Sequence, residues 1–164
     1  MLMVKGPNVM RGYLGRPVKT AEVLHDGWYT TGDVGMIEED GFVTITDRLS
    51  RFSKIGGEMV PHIRIEDKLH ELADVTEQVF AVTAIPNEKK GERIIVIHTL
   101  PPAKLTLILE KLAQCDLPAL WKPKANQFIH VDAIPVLGTG KMDLRAIKTL
   151  ATSLATNVEI EAQA

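Results

Sequence analysis

From about residue 59 onward, two nearly continuous apolar runs alternate with segments of helical periodicity, and this alternation restricts the fold more than any other feature. Gln78 to Ile85 is β-rich and ends at Pro86. Glu92 to Thr99 is a second apolar run, interrupted by His98 and followed by Pro101-Pro102. Both fall far short of the ~18–20 apolar residues of a membrane span and read as buried strands. Ile65, Leu69, Leu72 and Ala73 share one helical face, with Pro61 acceptable in the first turn. Leu105, Ile108, Leu109 and Leu112 form a second stripe, and Phe128 to Val131 a short strand. Asp143 caps a last helix that turns Leu144, Ile147, Leu150, Ala151 and Leu154 inward. The small, polar tail from Asn157 to Ala164 is expected to fray. The fold class is therefore α+β: a small mixed sheet flanked by helices.

Residues 1–48 have another texture. They hold 7 of the 12 glycines and no convincing helix beyond Thr20 to Leu24. Met36-Ile37-Glu38, Glu39-Asp40-Gly41 and Phe42 to Thr46 spell a β-hairpin whose Asp-Gly supplies the turn. An irregular β segment thus precedes the compact domain. The basic, glycine-ended stretch Asp47 to Gly57 reads as a loop at the boundary. The expected division is 1–48, then 49–156, then the tail 157–164.

Composition excludes more than it identifies. Nineteen basic and 21 acidic residues give a formal charge of −2, without the basic excess of a nucleic-acid binder. One cysteine, Cys115, excludes a disulfide framework and reads as a semi-buried small residue in a reducing, cytoplasmic setting. The histidines at 25, 62, 70, 98 and 130 form no i,i+4 pair, so no metal site is assigned. There is no G-x-S-x-G elbow, and His98 reads as a packed core residue. The N-terminus has no basic-then-apolar signal pattern. It enters a strand at once, as a piece of a longer protein would.

Three stretches could carry chemistry. Tyr29-Thr30-Thr31-Gly32-Asp33 fixes a carboxylate, a two-point acceptor for vicinal hydroxyls; alone it is an exposed loop aspartate. Asp47 to Glu58 offers the guanidinium of Arg48, which can fork to oxygens, and Gly56-Gly57, which admits close backbone approach; alone it is a solvated loop. Pro135 to Lys141 suggests a phosphate loop, but Pro135 stands where the first Walker glycine belongs and Met142 where Ser or Thr follows the lysine. A lysine on a glycine-flanked loop before a helix remains, able to bring a mobile charge to an anion.

In this order and at these separations the three stretches resemble the C-terminal part of the adenylate-forming superfamily: acyl-CoA synthetases, peptide-synthetase adenylation domains and luciferases. Gly6 to Leu14, Thr20-Ala21 and Asp26 to Asp33 look like the run into the ribose-binding aspartate; Asp47-Arg48 with Lys54 and Gly56-Gly57-Glu58 looks like the hinge and thiol-passage motif. Pro135 to Lys141 looks like the catalytic-lysine loop. The likeness runs over about residues 3 to 150.

The resemblance implies roles. Asp33 and Arg48 would hold the nucleotide ribose, and Lys141 would act on the acid carboxylate and α-phosphate during adenylation. Ser50 stands at the hinge position, where Asp or Lys is commoner. Gly56, Gly57 and Glu58, with Lys54 on the same loop, would line the way for a phosphopantetheine arm. ATP and Mg2+ would be bound mainly by the family's larger upstream domain, of which residues 1–48 would be the last β segment. The reaction implied is activation of a fatty acid as acyl-AMP and transfer to a thiol of acyl carrier protein or CoA, by domain alternation. The isolated chain would be inactive. Within the superfamily the sequence leans toward bacterial acyl-[acyl-carrier-protein] synthetase/2-acylglycerophosphoethanolamine acyltransferases. That would place the parent at the cytoplasmic face of the inner membrane, peripherally associated. Lys122-Pro123-Lys124 could then face an acidic carrier. The competing reading is a stand-alone carrier-protein or partner-binding module without catalysis.

Overall fold

The computed structural model describes the backbone of residues 1–161 and side chains through residue 155. It divides into two compact units, the first Met1–Arg51 and the second beginning at Phe52. The division lies three residues beyond the expected boundary at 48. Residues Leu49–Arg51 make a 3-10 turn whose start is tied to the first unit, where Leu49 N donates to Gly32 O at 2.8 Å.

In the first unit, β1 (Met3–Val4), β2 (Leu24–His25) and β3 (Trp28–Thr30) form a small antiparallel sheet in the order β1-β3-β2. The helix α1 (Pro17–Val23) starts three residues earlier than the pattern suggested, because Pro at the first helical position is pre-set for the turn. The expected hairpin is present: β4 (Asp33–Ile37) pairs antiparallel with β5 (Val43–Arg48). Its loop closes through Glu38 N to Phe42 O and Gly41 N to Glu38 O, each 2.9 Å.

The second unit is a three-layer sandwich. Strands β8 (Phe80–Asn87) and β9 (Gly91–His98) are antiparallel along their full length. β10 (Phe128–His130) joins β9 in parallel, which makes the sheet mixed. Helices α2 (His62–Ala73) and α3 (Pro102–Gln114) cover one face. There Ile65, Leu69, Ile108 and Leu112 pack with Phe80, Val82, Ile94 and Val96. On the other face α4 (Leu144–Glu161) packs Ile147 and Ala151 on Ala81, Ile85, Ile95 and Ile97. Coverage on both faces explains the near-continuous apolar runs, since a strand with one wet face would alternate. Each fully buried Ile or Leu contributes about 1.5–3 kcal/mol relative to exposure.

Three expectations change. Strand β8 continues through Pro86; among the described residues it pairs only with β9, and an edge strand tolerates a residue without N–H. The expected loop Asp47 to Gly57 is largely strand: β5 runs through Arg48, and β6 (Phe52–Ile55) and β7 (Glu58–Pro61) form a hairpin in the same sheet as β9. Helix α4 carries the backbone through Glu161, beyond Leu154, the last residue of its expected inward face; residues 162–164 of the tail expected to fray lie outside the described residues. Asp143 caps α4 as expected, its Oδ1 accepting from Arg145 N at 3.1 Å and Ala146 N at 3.0 Å. Among the described residues, no helix is long and apolar enough to cross a membrane.

Candidate functional site

Asp33 opens β4 and Arg48 closes β5, and the register sets them opposite each other. Arg48 Nε lies 2.9 Å from Asp33 Oδ1. The carboxylate is largely covered, with 18% of its side chain exposed, whereas 68% of the Arg48 side chain is open. The sequence put these two residues in different motifs; the hairpin makes them one site. The backbone around Asp33 is pinned: Asp33 O accepts from Leu2 N at 2.7 Å, and Asp33 N donates to Thr31 Oγ1 at 3.0 Å. Thr31 Oγ1 in turn donates to Leu2 O at 2.9 Å.

Two phenols complete this corner, and the sequence did not single them out as site residues. Tyr13 and Tyr29 share a hydrogen bond, and that bond, then burial, then the charges of Tyr13 and Asp33, hold the Tyr29 phenol above its ordinary value. Arg48 opposes the shift. A carboxylate, a guanidinium and two phenols on a fixed backbone suit a ligand rich in hydroxyls and carrying negative charge.

The other expected residues belong to the second unit, apart from Ser50, which is exposed in the 3-10 turn. Lys54 lies on β6, its N–H donating to Glu92 Oε2 at 2.7 Å and its side chain exposed. Glu58 starts β7, opposite Ile55. Between them Gly56 (φ 58°) and Gly57 (φ 94°) form the whole two-residue hairpin turn. Both angles match a type I′ turn, so the glycines have a structural reason apart from any ligand. A Cβ on either would meet nothing within 4 Å. The tip is therefore open space beside bare backbone.

Lys141 is exposed on a tied loop rather than a flexible one. Leu137 N donates to Lys141 O at 2.7 Å, and Gly140 N to Leu137 O at 2.8 Å, with Gly140 at φ 81°. Val136 bridges Met142, and Asp143 N donates to Pro135 O at 3.0 Å. The lysine thus stands at the root of a short hairpin immediately before the α4 cap.

The stretch Lys122 to Lys124 divides in role. Lys122 Nζ donates to Ala113 O at 3.0 Å and Cys115 O at 2.7 Å. It holds the C-terminal end of α3, where helix carbonyls favour a cation. It also lines a cleft of about 320 Å³ with Lys89, Lys90, Arg93 and Lys124. Cys115 is half-buried and unbridged, as expected. His98 is a core residue, 3% exposed, packed between Phe80 and Phe128 at ring distances of 6.5 and 6.3 Å. Among the described residues no three His, Cys, Asp or Glu side chains converge as a metal site.

No family model matches the chain. Its homologues are acid–CoA ligases of the adenylate-forming kind, and it corresponds to their C-terminal part. It is 35% identical over 147 residues to a feruloyl-CoA synthase of Amycolatopsis sp, covering 86% of this chain and 28% of that protein. It is 38% identical over 149 residues to a long-chain-fatty-acid–CoA ligase of Yersinia pestis, covering 90% of this chain and 26% of that protein. The chain thus spans little more than a quarter of these relatives. Among solved structures, ATP-bound MatB from Rhodopseudomonas palustris matches with TM-score 0.71 and 29% identity, over 93% of this chain and 30% of that one. The o-succinylbenzoate CoA synthetase of Bacillus subtilis, in complex with its acyl-adenylate, matches with TM-score 0.66 and 27% identity, over 89% and 29%. The α+β fold is that of the C-terminal domain of adenylate-forming enzymes.

Proposed function

We propose that the chain is the C-terminal part of an AMP-forming acid–thiol ligase. The observation that supports this most is the Asp33–Arg48 pair, set face to face by strand register beside Tyr13 and Tyr29. In the proposed reaction, the acid carboxylate attacks the α-phosphate of ATP. Pyrophosphate leaves and acyl-AMP forms. A thiolate then attacks the acyl carbonyl and AMP leaves. Asp33 accepts the ribose hydroxyls and Arg48 contacts the same nucleotide. Lys141 stabilises the charge that accumulates on carboxylate and α-phosphate oxygens, a role for a pre-placed cation in a closed site. Ser50 is the hinge between the Asp33 unit and the Lys141 unit. Gly56, Gly57 and Glu58, with Lys54, line the arm's passage for the second step. Mg2+ and most of the ATP contacts belong to a larger preceding domain.

The acid is a fatty acid and the thiol that of CoA or acyl carrier protein. The relatives named above are CoA ligases or synthases, which supports CoA. The cleft lined by Lys89, Lys90 and Lys124 suits the phosphates of CoA and the acidic surface of a carrier alike. A cytoplasmic location, at the inner-membrane face if the carrier and acylglycerophosphoethanolamine reading holds, belongs to the same proposal.

The test is acid-dependent ATP–pyrophosphate exchange by the full-length protein, followed by thioester formation with CoA and with phosphopantetheinylated carrier protein. Exchange stimulated by fatty acids, and absent from the 164-residue chain alone, is the expected result. No exchange across a panel of fatty and aryl acids, with carrier binding retained, would replace the ligase by the binding-module reading.

A further inference from the structure

The hairpin that carries the proposed passage is bonded to its domain near the tip, where Lys54 N also donates to Glu92 Oε2 at 2.7 Å, and at the base. Near the tip, Ile55 pairs with Gly91 of β9, and Gly56 N donates to Lys90 O at 3.0 Å. Among the described residues that is the only position at which β6 pairs with β9, and β7 is the outermost strand. At the base stands a buried polar contact that the proposed chemistry does not use. Ser53 on β6 is 1% exposed and His62, the first residue of α2, is 4% exposed. Ser53 Oγ lies 2.5 Å from His62 Nε2. One turn further along α2, Glu66 is also buried and accepts the β8 amide of Val82 at 2.6 Å. Helix α2 is thus bonded to the hairpin through His62 and to the central sheet through Glu66. Apolar packing alone would let the hairpin slide or tilt, because dispersion contacts carry little direction. A buried hydrogen bond has a fixed length and angle, and its loss leaves a desolvated group behind.

We propose that His62 is a positioning residue for thiol transfer, acting through Ser53 to fix the tilt of the β6–β7 hairpin and hence the place of the Gly56–Gly57 tip. The inference rests on the ligase reading of the preceding section. It assigns His62 no contact with either substrate. Its effect is confined to the half-reaction that uses the tip, and Lys141 and the Asp33–Arg48 pair are untouched by it.

The experiment uses the full-length protein and measures the two half-reactions separately: ATP–pyrophosphate exchange for adenylation, and thioester formation from supplied acyl-AMP and CoA. Variants are His62→Leu, Ser53→Ala and His62→Gln, whose amide Nε2 can occupy the place of the imidazole Nε2. Expected are a tenfold or greater loss of thioester formation in His62→Leu and Ser53→Ala, adenylation within about threefold of the parent, and recovery of most of the lost rate in His62→Gln. Equal losses in both half-reactions, or His62→Gln behaving like His62→Leu, would reduce the pair to a stability element. Should His62→Leu fail to fold, Ser53→Ala, which removes one oxygen, carries the test by itself. If the parent shows no adenylation at all, the ligase reading fails instead, and the two failures are distinct.

Discussion

Replacing Gly56 separates the turn from the passage. Gly56 sits at φ 58° as the first residue of the two-residue turn. A Cβ there meets nothing within 4 Å, so the penalty is conformational, not steric. An L-residue in the left-handed region costs about 1–2 kcal/mol, and the stiffer unfolded chain offsets about 0.4–1 kcal/mol of that. Gly56→Ala should therefore lose about 1 kcal/mol, or roughly 4 °C in Tm for a unit of this size. Asn tolerates the left-handed region, and Asn-Gly is the preferred type I′ pair. Gly56→Asn should cost under about 0.5 kcal/mol on that account. Urea denaturation of the chain and calorimetry give both numbers. The same Gly56→Asn variant in the full-length protein places an amide at the tip and should lower thioester formation at least tenfold with adenylation intact. Normal thioester formation in Gly56→Asn would show that the glycines serve the turn alone. A larger stability loss in Gly56→Asn than in Gly56→Ala would refute the turn assignment itself.

Three further outcomes follow. Arg48→Ala should change Tm little, because an ion pair with one partner this exposed is worth about 0–1 kcal/mol, yet, on the proposed function, raise the KM for ATP about tenfold or more in the full-length protein. Asp143→Ala removes the acceptor for two α4 amides and should cost about 1 kcal/mol in denaturant titration. His98 is held below its ordinary pKa of 6.5, first by burial and then by the charge of His130, against a backbone hydrogen bond at Leu100. The unfolded chain then binds the proton more readily, so the His98 contribution is full above about pH 6.5 and declines as pH falls toward the depressed folded value. Melting temperatures at pH 7.5, 6.5 and 5.5 should fall in the parent and be flatter in His98→Phe.

The second unit was legible because its helices and strands bury residues on fixed periods. Ile65 and Leu69, or the full-length apolar runs of β8 and β9, point to one packing solution. The hairpin at 52–61 was not legible in the same way. Lys54 and Glu58 make it look like a polar loop, and only the pairing of Ser53 with Val60 and the burial of Ile55 and Val60 reveal strands. In sequence the Gly56-Gly57 pair suggests ligand access, but its positive φ angles first of all close a turn. The site residues were found through motif order, whereas their geometry depended on register: Asp33 and Arg48 are 15 positions apart and meet only because β4 and β5 pair with an irregularity between Val34 and Gly35. Tyr13 lies within the Gly6 to Leu14 run, but no local pattern links it to Tyr29. Lys122 reads as a surface charge in sequence because the Ala113 and Cys115 carbonyls it bonds lie 9 and 7 residues back.

Lys141 is proposed to serve adenylation in a ligase of which this chain is the C-terminal part. Its most direct test is the pair of half-reaction rates in full-length Lys141→Ala. Acid-dependent ATP–pyrophosphate exchange should fall about 10²-fold or more, the scale of removing one pre-placed electrostatic group, with thioester formation from supplied acyl-AMP retained. Unchanged exchange in that variant would contradict it.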